Sequence, residues 1–353
     1  MNEIVIFILS ILVLIKSSNL IVNSATKLAK LIGVSDLVIG LTAISVGTSL
    51  PELASSIIAS LSGNSNLVTG NIIGSNIANI GLILGMSATI AVLQIHKGIF
   101  HKEGRILFLT TALFILFSLN KFLSFYEGVF LIILFVYYIT YLFRVEKDKE
   151  YQSYEKYIAY NFIKLVRPRT YVNYFNNKLK KDNKITKTKQ NKILGISKDV
   201  YFAQLFKNIL IFIIGSFGLY VGADFLIPSA IAIADNFGVP QTIVGMFMIA
   251  VGTSIPELIV SITALRKGLA DILIGNIIGS NITNILMVGG ISAVINPMPL
   301  AASTLYYFMP VMFLFTLLLL NFIKSSWFLR PAEGFIFLVM YLIFVVLSVL
   351  LGF

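Results

Sequence analysis

The chain contains no cysteine, which excludes a disulfide framework, thiolate metal sites and cysteine nucleophiles. Histidine is nearly missing too: only His96 and His101 occur, both in a basic stretch where they read as surface residues, so softer metals find few ligands. Charge is scarce, at 12% of 353 residues against 57% hydrophobic, with a mean hydropathy of +0.91. That balance excludes an ordinary soluble domain. No set of nucleophile, base and oxyanion donors is visible, so an enzyme has no support, and no cofactor is expected.

What remains is a polytopic membrane protein. Apolar stretches long enough for a bilayer core of about 30 Å run near 4–23, 36–62, 67–95, 106–120, 122–143, 201–229, 240–265, 269–297, 304–323 and 333–352. The expected fold is all-α, with ten transmembrane helices: a first five-helix unit at 1–143, a basic loop at 144–200, and a second five-helix unit at 201–353. The start carries no basic n-region, so no cleavable signal peptide is expected and the first helix acts as its own insertion signal.

The net charge of +11 comes mostly from one place, because 144–199 holds 15 Lys and Arg against 6 Asp and Glu. No nucleic-acid signature accompanies it, and a cytoplasmic loop explains it better. Six tyrosines between Tyr151 and Tyr174 would also suit a segment lying on anionic lipid; a solvated linker fits equally. Lys27, Lys30, Lys97, Lys102, Arg105, Arg266, Lys267, Lys324 and Arg330 fall on the side of this loop, and the opposite loops hold only Lys121. The positive-inside rule then puts the loop in the cytoplasm and both termini outside, in the cell membrane.

The richest signal is a duplication. Residues 33–85 and 238–290 align without a gap at an offset of 205, with about half the positions identical, and each copy carries GTS-[LI]-P-E and then GNIIGSNI-x-N. Five helices per unit would insert the copies in opposite directions, an inverted repeat of the kind secondary transporters use.

Ser49-Leu50-Pro51-Glu52 and Ser254-Ile255-Pro256-Glu257 fit helix starts within the membrane. Each glutamate could simply close a capping box. An ionised carboxylate at mid-bilayer costs roughly 2.5–3.5 kcal/mol, however, more than a cap returns, so a cation partner is the better reading. The prolines are expected to free carbonyls near Ser45 and Ala250. Ser45, Ser49, Glu52 and Ser56 share one helical stripe, as do Ala250, Ser254, Glu257 and Ser261, with Thr48 and Thr253 beside them. Asn71, Ser75 and Asn79, and likewise Asn276, Ser280 and Asn284, line one face at four-residue spacing. Asn79 and Asn284 are ligand candidates, while Asn76 and Asn281 suit interhelical hydrogen bonding. Gly70, Gly74, Gly275 and Gly279 suit close helix packing. Together the two copies form an all-oxygen set fit for hard cations such as Ca²⁺ or Na⁺.

At these motifs the sequence resembles the calcium/cation antiporter superfamily, in particular the ten-helix sodium/calcium exchangers of archaea and bacteria. The resemblance spans the whole helical layout. It implies alternating-access exchange of Na⁺ for Ca²⁺ by a monomer, with four cation sites and Glu52 and Glu257 as bridging acids. It further implies ligands from Thr48, Ser49, Ser75, Asn79, Thr253, Ser254, Ser280 and Asn284, and carbonyls of Ser45 and Ala250. The neutral Asn284 argues against the potassium-dependent branch, and GTS-x-PE against the proton-coupled one. A proton-coupled or broad divalent cation antiporter is the alternative. Lys16 in the first helix is unexpected; it either snorkels to an interface or faces a cavity.

Overall fold

The computed structural model describes residues 2–95, 100–147, 198–236, 252 and 254–351. The described residues are helical nearly throughout. The first half comprises α1 (Asn2–Ile32), α2 (Asp36–Ile39), α3 (Ser45–Thr48), α4 (Leu50–Leu61), α5 (Ser65–Ala78), α6 (Gly85–Ile90), α7 (Arg105–Ser118) and α8 (Phe125–Lys147). The second half comprises α9 (Lys198–Asn236), α10 (Ile255–Arg266), α11 (Ala270–Thr283), α12 (Gly290–Ile295), α13 (Met309–Ser326) and α14 (Pro331–Leu350). Two-residue strands β1 (Leu93–Gln94), β2 (Phe122–Leu123), β3 (Met298–Pro299) and β4 (Phe328–Leu329) join them.

Seven of the described helical spans are long and apolar enough to cross a membrane. An eighth arises if α2–α3 and α4, bent by 43° at Ser49, count as one. The expected first span at 4–23 is too short: α1 runs for 31 residues, about 46 Å at the α-helical rise, and so overshoots the hydrocarbon core. Its inward stripe, Leu14, Ser18, Ile21, Val22, Ala25 and Leu28, is buried, while Ile8, Leu12 and Ile15 stand exposed. Lys16 belongs to that exposed outer face and does not line the interior, which rules out its cavity reading.

The centre belongs to α5 and α11. In their most apolar stretches 78% and 89% of residues are buried, against 28% in α1 and α9, which pack on each other at the periphery. Polarity follows the reverse of a soluble protein, with Ser, Thr, Asn and Glu inside and large apolar side chains outside.

The 205-residue offset reappears in the elements: α4 and α10, α5 and α11, α6 and α12 have the same lengths. Gly63 and Gly268, both at φ +70°, turn the chain out of α4 and α10 where a β-carbon would be strained. Strand pairing is reciprocal. β1 pairs antiparallel with β4, and β2 with β3, so each half contributes one strand to each two-stranded ribbon.

Close backbone approach fixes the middle. A β-carbon on Gly275 would meet the Leu37 carbonyl at 2.7 Å, and one on Gly279 the Leu41 Cα at 2.8 Å, so α11 rides directly on the Leu37–Ser45 stretch. The packing reading thus holds for Gly275 and Gly279. At Gly70 and Gly74 an added Cβ meets nothing within 4 Å among the described residues. Residues 240–250, which the offset equates with 35–45, lie outside the described residues.

Candidate cation-binding site

Local helix chemistry delivers the acids. Ser49 and Ser254 precede α4 and α10, prolines occupy the first turn, and Glu52 and Glu257 follow in it. Neither serine makes a side-chain capping bond. The capping-box reading therefore fails, and the Ser49 hydroxyl instead donates across the molecule to Glu257 Oε1 at 3.4 Å.

Glu52 and Glu257 are 1% and 0% exposed, and Glu257 lies near enough for its charge to act on Glu52. Two like charges in a dry interior need a counter-charge, yet no Lys, Arg or His pairs with either among the described residues. Both oxygens of Glu52 and Oε2 of Glu257 have no hydrogen-bond partner there. Buried carboxylate oxygens without donors are the strongest local indication that a cation belongs between them.

The surrounding oxygens come from both halves. Ser45, Thr48, Ser49, Ser75, Asn79, Ser254, Ser280 and Asn284 are all buried. Asn79 Oδ1, Ser254 Oγ and Asn284 Oδ1 have no partner among the described residues. Thr48 lies within 3.4 Å of the Ser280 hydroxyl, so α3 and α11 meet at the site. Asn79 and Asn284 each open a π-helical stretch, Asn79–Leu84 and Asn284–Gly289, whose wider turns interrupt regular bonding where the ligand candidates stand. Thr253 and Ala250 lie outside the described residues.

The Ser45 carbonyl departs from expectation. Pro51 does not free it, because the donor that a proline lacks would have served the residue four earlier, Gly47. Ser45 O accepts the Ser49 N–H at 3.0 Å and faces the Thr48 hydroxyl at 3.3 Å. That hydroxyl has one proton and can give it instead to Asn276 Oδ1 at 3.2 Å, which opens a lone pair on Ser45.

Two asparagines prove to be braces. Asn71 Nδ2 donates to the Glu52 carbonyl at 3.0 Å and to the Ser55 and Ser56 hydroxyls, tying α5 to the first turns of α4. Asn276 joins Thr48 to Ser261. Asn281 hydrogen-bonds across the halves as anticipated, but the Asn76 side chain has no partner among the described residues. Sequence reading missed a peripheral link altogether: Ser18 of α1 and Thr263 of α10 share a hydrogen bond of 2.8 Å, and Lys267 reaches Asn23 at 2.8 Å. Only polar residues on the buried stripe of α1 hinted at it.

Fold and site together define a polytopic helical membrane protein built around a buried, acidic, all-oxygen centre. The chain belongs to the sodium/calcium exchanger protein family, whose sequence pattern matches residues 2–144 and 207–350. It is 36% identical over 343 residues to the sodium/calcium exchanger MaX1 of Methanosarcina acetivorans, covering 97% of each chain. Inner membrane protein YrbG of Escherichia coli is 30% identical, over 82% of this chain and 79% of its own. Structures of the sodium-calcium exchanger NCX_Mj superpose with a TM-score of 0.74 at 27% identity, covering 97% of both chains.

Proposed function

We propose that this protein is a secondary-active antiporter that exchanges Na⁺ for Ca²⁺ across the cell membrane by alternating access. The observation that carries the reading is the pair Glu52 and Glu257, brought together from two halves with three carboxylate oxygens unsatisfied among the described residues. Two carboxylates can hold one Ca²⁺ or several Na⁺, and shared oxygens make the two loads mutually exclusive. That exclusion couples the fluxes, and like-charge repulsion makes the empty site costly, which suppresses leak.

The ligand set is Glu52 and Glu257 with Thr48, Ser49, Ser75, Asn79, Thr253, Ser254, Ser280 and Asn284 and the carbonyls of Ser45 and Ala250. The arrangement is ten helices in two inverted units, 1–143 and 201–353, around the basic 144–200 loop, with that loop inside and both termini outside, acting as a monomer. Reciprocal strand pairing and equal helix lengths at one offset support the two-unit reading. The peripheral α1–α9 pair, which bears none of the motifs, slides across the centre to switch access.

The test is ⁴⁵Ca²⁺ uptake into proteoliposomes loaded with Na⁺ or with choline. Uptake is expected only with an outward Na⁺ gradient. Uptake unchanged without Na⁺ overturns sodium coupling, and uptake driven by a pH gradient alone favours proton-coupled exchange.

A further inference from the structure

We infer that Asn281 is a positioning residue for the cation site, because it fixes which end of the Asn79 amide faces the ion. This deepens the proposed function and rests on the reading of Asn79 as a ligand. A group of fixed polarity starts the chain of bonds. A backbone carbonyl can only accept, so Asn281 Nδ2, 3.4 Å from the Asn76 carbonyl oxygen, is the donor. Asn281 Oδ1 is thereby left as an acceptor, and Asn79 Nδ2 meets it at 2.9 Å.

Asn79 must therefore turn its NH₂ toward Asn281. Its Oδ1 faces the other way, buried and without a partner among the described residues. Flipped, the same amide would aim two N–H donors at a cation and repel it. The relay runs backbone carbonyl, Asn281, Asn79, ion. All three asparagines are at most 1% exposed, so water does not compete for these bonds.

The matching half lacks this device. Its counterpart would run from the Asn281 carbonyl through the Asn76 side chain to Asn284, yet both polar atoms of Asn76 and of Asn284 are without partners among the described residues. Among the described residues one amide ligand is thus pinned and the other is not. Neither the GNIIGSNI motif nor the residue type distinguishes them.

The experiment is a double-mutant cycle on Na⁺-gradient-driven ⁴⁵Ca²⁺ uptake in proteoliposomes, reading half-saturating Ca²⁺ separately from maximal rate. Asn281→Leu keeps the branching and the heavy-atom count and loses both bonds; it is expected to raise half-saturating Ca²⁺ about fivefold. In an Asn79→Ala background the same change is expected to add nothing. Asn281→Ala is run in parallel and read by the same coupling. Effects that add independently, or a lower maximal rate with half-saturation unmoved, overturn the inference and make Asn281 a packing residue. So does failure of both Asn281 variants to fold. If Asn79→Ala alone leaves half-saturation unchanged, Asn79 is not a ligand, and the site reading itself fails there.

Discussion

Glu52 and Glu257 occupy equivalent places in the two halves but live differently. Glu257 receives the Ser49 hydroxyl on Oε1, whereas Glu52 has both oxygens bare among the described residues. The amides differ as well, since Asn79 is pinned and Asn284 has no partner among the described residues. A duplicated motif thus supplies identical groups, and tertiary contacts give them unequal freedom. Each half holds one ligand in place, Asn79 in the first and Glu257 in the second, and leaves another, Glu52 or Asn284, without a partner among the described residues and able to adapt to ions of different size and number.

The comparison can be broken most sharply at the acids. Glu52→Gln and Glu257→Gln are each expected to lower Na⁺-driven Ca²⁺ uptake by at least about a hundredfold, since either removes half of the charge that holds the cation. Retention of exchange by either variant would show that the halves are not joint owners of the site.

The serines come next. Ser49 contacts Glu257 while Ser254 Oγ has no described partner. Ser49→Ala is therefore expected to weaken half-saturating Ca²⁺ about fivefold, and Ser254→Ala by less. Equal effects would mean that the asymmetry at the acids has no bearing on binding.

Packing sharpens the comparison further. Gly279→Ala pushes a methyl into the Leu41 backbone and is expected to destabilise the protein by about 1–3 kcal/mol in thermal unfolding. Gly74→Ala, at the equivalent position of the first half, is expected to show a similar loss if the two halves pack alike. A neutral Gly74→Ala would break the equivalence of the two halves at that contact.

The smallest effect lies at the periphery. The Ser18–Thr263 bond links α1 to α10, and the equivalent positions in the other half are Ala223 and Ile58, which cannot form it. Thr263→Val is expected to change, by about threefold, the rate at which a single cysteine introduced on α1 is labelled from one side, a clean readout in a chain with no cysteine of its own. Unchanged labelling would remove this bond from the account of helix sliding.

Much of this was legible in the sequence. Composition alone announces the membrane, and the offset of 205 announces the repeat, because hydropathy and self-similarity are properties of the residue string. The acids were legible because depth makes a carboxylate expensive, whatever its neighbours. Three things were not. The Ser45 carbonyl was misjudged because a proline's effect depends on counting helical bonds through a bend. The fates of Asn71, Asn276 and Asn76 were hidden because one motif offers identical amides, and only crossing helices decide which become braces. The Ser18–Thr263 link joins residues 245 positions apart with no pattern between them.

The central claim is that Na⁺ and Ca²⁺ contend for one set of oxygens built on Glu52 and Glu257. Equilibrium ⁴⁵Ca²⁺ binding to the purified protein across a series of Na⁺ concentrations tests it most directly. Na⁺ is expected to raise the apparent Kd for Ca²⁺ without lowering the number of sites, more steeply than one Na⁺ per Ca²⁺ allows, and Ca²⁺ binding is expected to vanish in Glu52→Gln and Glu257→Gln. Ca²⁺ binding that is indifferent to Na⁺, or that persists without either carboxylate, would contradict it.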